Sequence, residues 1–230
     1  ITCRDWSSDV CSSDLLLGAP KYVGTNIKCE PTVGYAVGMA WTELGGEVLP
    51  VEVAPMAGKG KLTLTGSLGD VMQESATAAL SYIRNHATMF NLREDFFESI
   101  ELHVHLPEGA VPKDGPSAGV TLMTALLSSL TEIPVRTDIA MTGEVTLTGD
   151  VLAVGGLNEK LLAAKRIGIR QVIVPEKNRK DIGELQPELL KGLEIHYVRT
   201  VREVIRLALV KDPVVRTRMK ASFRLGGAAR

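Results

Sequence analysis

The run SAGVTLMTALLSSL, from Ser117 to Leu130, is apolar nearly all round, and this is the strongest constraint on the fold. A helix with no polar stripe has no face to give to water. It therefore predicts a buried helix, ended near the Pro134 of TEIPVR, with other elements packed around it. One such element lies just upstream. SIELHVHLPEG alternates strictly, with Ile100, Leu102, Val104 and Leu106 on one face and Glu101, His103 and His105 on the other, the period of a half-buried strand. That strand runs toward the loop that carries Ser117.

The remaining segments alternate in kind. From Val33 onward, apolar residues broken by Gly-Gly and Gly-Lys turns predict short antiparallel strands in a meander. DVMQESATAALSYIRNHATMF places Met72, Ala76, Ala79, Leu80, Ile83 and Ala87 at helical spacing behind Asp70, the expected N-cap. DIAMTGEVTLTGDVLAVGGL predicts a hairpin turning at Thr148-Gly149-Asp150, NEKLLAAKRIG a helix stopped by Gly168, and QVIVPEKN a short buried strand. LEIHYV predicts a strand, TVREVIRLAL an amphipathic helix capped by Thr200, and RTRMKASFRLGGAAR a basic, fraying tail. The expected class is α+β of the α/β type, with mixed sheets of short strands and packed helices. Residues that are 45% hydrophobic but only 4% aromatic require a core of Ala, Val, Leu and Ile. With 26 basic and 27 acidic residues and no long single-sign run, the chain is not built to hold nucleic acid or an anionic membrane. No apolar run approaches the ~20 residues that a membrane helix needs.

The amino terminus is treated separately. DWSSDVCSSDL, Asp5 to Leu15, has neither helical nor strand period and resembles an in-frame translation of a sequencing-adapter oligonucleotide. Residues 1–15 are expected to be such an artefact or a disordered tail, 16–32 a linker, 33–212 one domain and 213–230 the frayed tail. Setting Cys3 and Cys11 aside leaves Cys29, so no disulfide is expected within the domain and a reducing, cytoplasmic setting fits best. An adapter junction also implies a longer parent chain.

Ser117 follows Gly115-Pro116 and precedes Ala118-Gly119, at the first turn of the buried helix. There, unsatisfied amides and the positive end of the dipole can hold an oxyanion. A nucleophile wants that position, but so does a simple N-cap, and the Pro116 before the serine does not fit the Gly-x-Ser-x-Gly elbow. A serine also needs a base. His103 and His105 share a strand face near the loop but read equally as surface residues, and no third ligand at metal spacing accompanies them. Lys160, at the start of a helix after a Gly-Gly turn, reads equally as an exposed helix lysine or as one where burial and the helix dipole disfavour an ammonium, and a lysine held neutral can take a serine proton.

PKDGPSAG at 112–119 with GGLNEKLLAAKRIG at 155–168 resembles the Ser-Lys proteolytic domain of bacterial ATP-dependent Lon proteases. VGMAWTELGGEVLPVE, GKGKLTLTGSLGDVMQESATAAL, HVHLPEGA and MTGEVTLTGDVLAVGGL extend the resemblance from about Pro31 to about Asp212. The resemblance implies that family's fold, related to a ribosomal-protein domain fold, and an endopeptidase with Ser117 as nucleophile and Lys160 as general base. It implies supporting roles for Thr142 at the lysine amine and for Glu52 and His105 in the cleft, an oxyanion loop at Gly115, Pro116 and Ala118, and no metal in this domain. For the full-length protein it implies ATP and Mg as cofactors, unfolded or damaged proteins as substrates, and a homo-hexamer. A noncatalytic scaffold of the same fold is the alternative. No Gly-x4-Gly-Lys-Ser/Thr motif is present, since AGKGKLTLTG has Leu62 after the lysine, so the ATPase is expected to reside in another part of the protein.

Overall fold

The structure, a computed structural model, describes residues 27–42, 45–107 and 112–214. The adapter-like run, Cys3, Cys11 and nearly all of the basic tail lie outside them. Strand β1 (Tyr35–Thr42) pairs antiparallel with β2 (Gly45–Ala57), in a register that sets Tyr35 opposite Glu52 and Gly38 opposite Leu49. Most of β1 is buried along both faces. Its side chains alternate between two cores: Ala36 joins one, whereas Tyr35, Val37 and Met39 join the other. Such a strand must be covered by helices on both sides.

The larger core receives α1 (Asp70–Asn85), α2 (Gly119–Thr131) and α6 (Val201–Ala208). Buried nearly all round, α2 is the helix that the apolar run predicts. The second core receives Leu161, Ala163 and Ala164 of α3 (Leu157–Arg166) and Leu189 of the short α5 (Pro187–Leu190); the short α4 (Arg179–Gly183) lies between them in the chain. The serine helix and the lysine helix thus cover opposite faces of the sheet.

The sheet has seven strands in the order β3-β4-β2-β1-β5-β8-β9, where β3 is Lys61–Thr65, β4 Ile100–His105, β5 Ile139–Met141, β8 Gln171–Pro175 and β9 Glu194–Val198. β6 (Glu144–Val145) and β7 (Val151–Leu152) form the separate hairpin expected around Gly149. The expected meander is corrected: β3 pairs not with β2 but with β4, parallel, from Lys61–Glu101 to Thr65–His105. Alternation identifies a strand, but helix α1 between β3 and β4 returns the chain in the same direction and so selects a parallel neighbour.

Two helix starts also differ in detail. α1 begins at Asp70, but the capping carboxylate is that of Asp114, which accepts the Met72 N–H at 3.0 Å. Thr200 occupies the N-cap of α6 without a side-chain cap bond, and Glu203 Oε2 instead accepts the Arg199 N–H at 2.8 Å. Cys29, in the segment expected to be a linker ahead of the domain, is disulfide-bonded. Among the described residues, no helix is long and apolar enough to cross a membrane.

Candidate active site

Ser117 sits in a single 3-10 turn, Pro116–Ala118, that runs directly into α2. The N-cap of α2 is Ala118 and carries no side-chain cap bond, so the hydroxyl of Ser117 does not cap the helix. The backbone of Ser117 is held instead. Its carbonyl accepts the Gly143 N–H at 2.9 Å and the Thr142 hydroxyl at 3.2 Å, while the Gly143 carbonyl accepts the Val120 N–H at 3.0 Å. The segment leaving β5 is therefore laced to the serine turn on both sides.

Lys160 reaches the same point from the other face of the sheet. Leu157, Lys160, Leu161 and Ala164 form the buried stripe of α3, which points the lysine inward. Gly46 of β2 allows the close approach: a Cβ there would stand 1.8 Å from the Glu159 carbonyl oxygen, so only glycine lets β2 lie against α3. The lysine is 2% exposed, and its Nζ donates to Thr142 Oγ1 at 3.2 Å. Burial lowers its pKa to about 8. Thr142, fully buried, donates its proton to the Ser117 carbonyl and accepts an N–H from the lysine. The lone pair of a neutral amine stays available for a further proton. Among the described residues, no hydrogen bond joins the Ser117 and Lys160 side chains directly; Thr142 links the lysine amine to the backbone carbonyl of Ser117.

The depressed lysine pKa also fixes how stability varies with pH. Below pH 8 the amine is charged in both the folded and the unfolded chain, so the cost of burying it is fully present. Between pH 8 and its ordinary value of 10.5 only the unfolded chain binds the proton, so stability rises with pH across that window. Lys160→Met, which removes the charge but also the bond to Thr142, is expected to stabilise the fold by about 2 kcal/mol at pH 7. Urea unfolding at pH 7 and pH 11 checks this: the gain should disappear at the higher pH.

The other expected residues lie around this centre. Glu52 and His105 face each other in register across β2 and β4. Glu52 forms an ion pair with Lys28 at 3.7 Å, and His105 Nδ1 shares Thr65 Oγ1 with His103 Nε2, at 2.8 and 2.9 Å. Neither is bonded to Ser117 or Lys160. In the loop expected to hold an oxyanion, Gly115 adopts φ +122°, which a side chain would resist, and its N–H is committed to Asp114 Oδ1 at 2.8 Å. Pro116 has no N–H, so the turn offers the amides of Ser117 and Ala118. Sequence reasoning missed Gly143 and the anchoring role of Asp114; their only signal was adjacency to Thr142 and Ser117. Among the described residues, no group of three or more His, Cys, Asp or Glu is placed to hold a metal ion.

Fold and site together define an α/β domain with a serine at a helix start and a buried, readily deprotonated lysine brought to it. A family model of the Lon protease C-terminal proteolytic domain matches residues 10–211. The chain is 56% identical over 199 residues to the Lon protease of Aquifex aeolicus, covering 86% of this chain and 25% of that protein. It is 56% identical over 194 residues to the Lon protease of Nitratidesulfovibrio vulgaris (84% and 24%), and 52% identical over 209 residues to Lon protease 1 of Myxococcus xanthus (91% and 26%). The chain belongs to the Lon protease C-terminal proteolytic domain family. It spans about a quarter of the length of these relatives.

Proposed function

We propose that this chain is the peptide-cleaving domain of an ATP-dependent serine endopeptidase, with Ser117 as nucleophile and Lys160 as general base. The observation that carries this reading is the Lys160 amine: 2% exposed, hydrogen-bonded to Thr142 and shifted toward the neutral form beside a serine whose hydroxyl is not used as a cap. The reading requires a Ser117 rotamer that brings Oγ to the amine. Lys160 Nζ accepts the hydroxyl proton as Oγ bonds to the scissile carbonyl carbon, and the amides of Ser117 and Ala118 hold the oxyanion. The ammonium then protonates the departing amine, leaving an ester on Ser117. Water, deprotonated by the same lysine, attacks the ester and frees the enzyme. Thr142 keeps the amine in place throughout, and Glu52 and His105 border the path of the substrate.

In the longer protein, ATP with Mg would drive unfolded or damaged proteins into this site, within a homo-hexamer in the cytoplasm. Neither a membrane nor a nucleic acid is a partner that this domain's balanced charge favours. The scaffold alternative leaves the buried lysine without a purpose, since burying an amine costs stability that a scaffold could recover with an apolar residue. A peptidyl boronate or serine-reactive phosphonate tests the assignment. Mass spectrometry should find the adduct on Ser117, and an adduct elsewhere, or none with cleavage intact, refutes it.

A further inference from the structure

Asn178, the last residue of a 3-10 turn (Glu176–Asn178) after β8, is 2% exposed, and the catalytic steps above do not use it. Its carboxamide acts as a neighbouring strand would. Oδ1 accepts the Val154 N–H at 3.0 Å, Nδ2 donates to the Val154 carbonyl at 3.0 Å, and Nδ2 also donates to Asp181 Oδ2 at 2.6 Å. A buried amide that spends both its ends on the backbone of one residue fixes that residue in place and in orientation.

Val154 stands where such fixing matters. It is followed by Gly155 and Gly156, the residue type with the greatest backbone freedom, and Gly156 (φ +67°) is the N-cap of α3. The Gly156 carbonyl accepts the N–H of Lys160 itself at 3.1 Å. Beneath this start, Leu157 packs with Val174 and Ile182 in a small core of their own, with Val154 at its margin. Packing of the Glu159 carbonyl over Gly46 supports the first turn of α3 from β2, but where the chain enters the helix the glycine pair gives no hold of its own, and the Asn178 clamp supplies it.

We infer that Asn178 is a positioning residue for Lys160: by clamping Val154 on both backbone groups, it holds the first turn of α3 so that the lysine amine stays dry and against Thr142. This rests on the reading of Lys160 as the general base. Burial is what lowers the proton affinity of the amine, so water admitted by a loosened helix start returns it toward an ordinary lysine. Ser117, anchored through Thr142 and Gly143, keeps its place.

The test uses the whole chain with Asn178→Ala and Asn178→Ser, the latter adding no charge beside Asp181 and able to keep at most one of the two bonds to Val154. The Lys160 side chain is titrated by NMR in protein labelled with carbon-13 lysine, its signal identified by loss in Lys160→Met. Peptide cleavage is followed in parallel from pH 6 to 11. Asn178→Ala should move the midpoint from about 8 toward ~10.4, and cleavage at pH 7 should fall roughly 10- to 100-fold yet recover to within a few-fold of the parent above pH 10. Asn178→Ser should lie between, and it carries the comparison alone if the alanine variant does not fold. A midpoint that stays near 8 in the folded variants, with a loss of rate equal at every pH, overturns the positioning role. A parent midpoint already near ~10.4 overturns instead the underlying reading of Lys160 as a base tuned by burial.

Discussion

Ser117→Ala is expected to lower hydrolysis of a short fluorogenic peptide by at least ~10⁴-fold, because no other group at the site can form the ester through which the reaction passes. Stability should change by less than about 0.5 kcal/mol. An N-cap serine would cost about 1 kcal/mol on removal, but the hydroxyl of Ser117 makes no cap bond, and the contacts to Thr142 and Gly143 belong to its backbone. Those bonds survive in the alanine variant, so the turn and α2 should keep their positions and peptide binding should persist. The measurement is kcat/KM together with a urea unfolding curve. Residual activity of a few per cent, in a preparation free of other proteases, would exclude Ser117 as the nucleophile. A stability loss near 1 kcal/mol without loss of cleavage would show that it is only a cap.

Lys160→Arg should be as inactive as Ser117→Ala, since a guanidinium remains charged at any working pH and cannot accept the serine proton. Lys160→Gln, similar in length and neutral, should be inactive too, which separates loss of the base from the cost of burying a larger cation. In the parent, only the unprotonated amine is active, so the rate should climb about tenfold per pH unit below the amine pKa of about 8 and level off above it. An ordinary lysine would keep the rate climbing to ~10.4. Rates from pH 6 to 10 for the parent and both variants decide this. His105→Ala is the discriminating companion: if it is dead while Lys160→Arg cleaves at the parent rate, the base is histidine. The geometry argues otherwise, because His105 Nδ1 is engaged by Thr65, whereas the lysine amine meets the residue that also holds Ser117.

Most elements of the fold were legible in the sequence by itself, and so were the two residues proposed to react, through the motifs around them. Periodicity is a local property: the all-round apolar run at 117–130 could only be a buried helix, and Ile100 to Leu106 could only be a strand with one wet face. Ser117 after Gly-Pro and Lys160 after Gly-Gly were identifiable because their surrounding motifs are specific to one family. What needed the tertiary structure was everything set by residues distant in the chain. Whether β3 pairs with β2 or β4 depends on where α1 returns the chain, and no alternation within Lys61–Thr65 records that. The capping group of α1 could not be assigned from the helix's first residues, because Asp114, distant in the chain, reaches the Met72 N–H only in space. Above all, a lysine in a helix is normally a solvated cation, and although the motif picks out Lys160, nothing in NEKLLAAK shows that it, and not Lys165, is buried. Only the packing of α3 on β2 at Gly46, opposite the serine helix, and the placing of Thr142 between the two make one of them a dry amine able to act as a base.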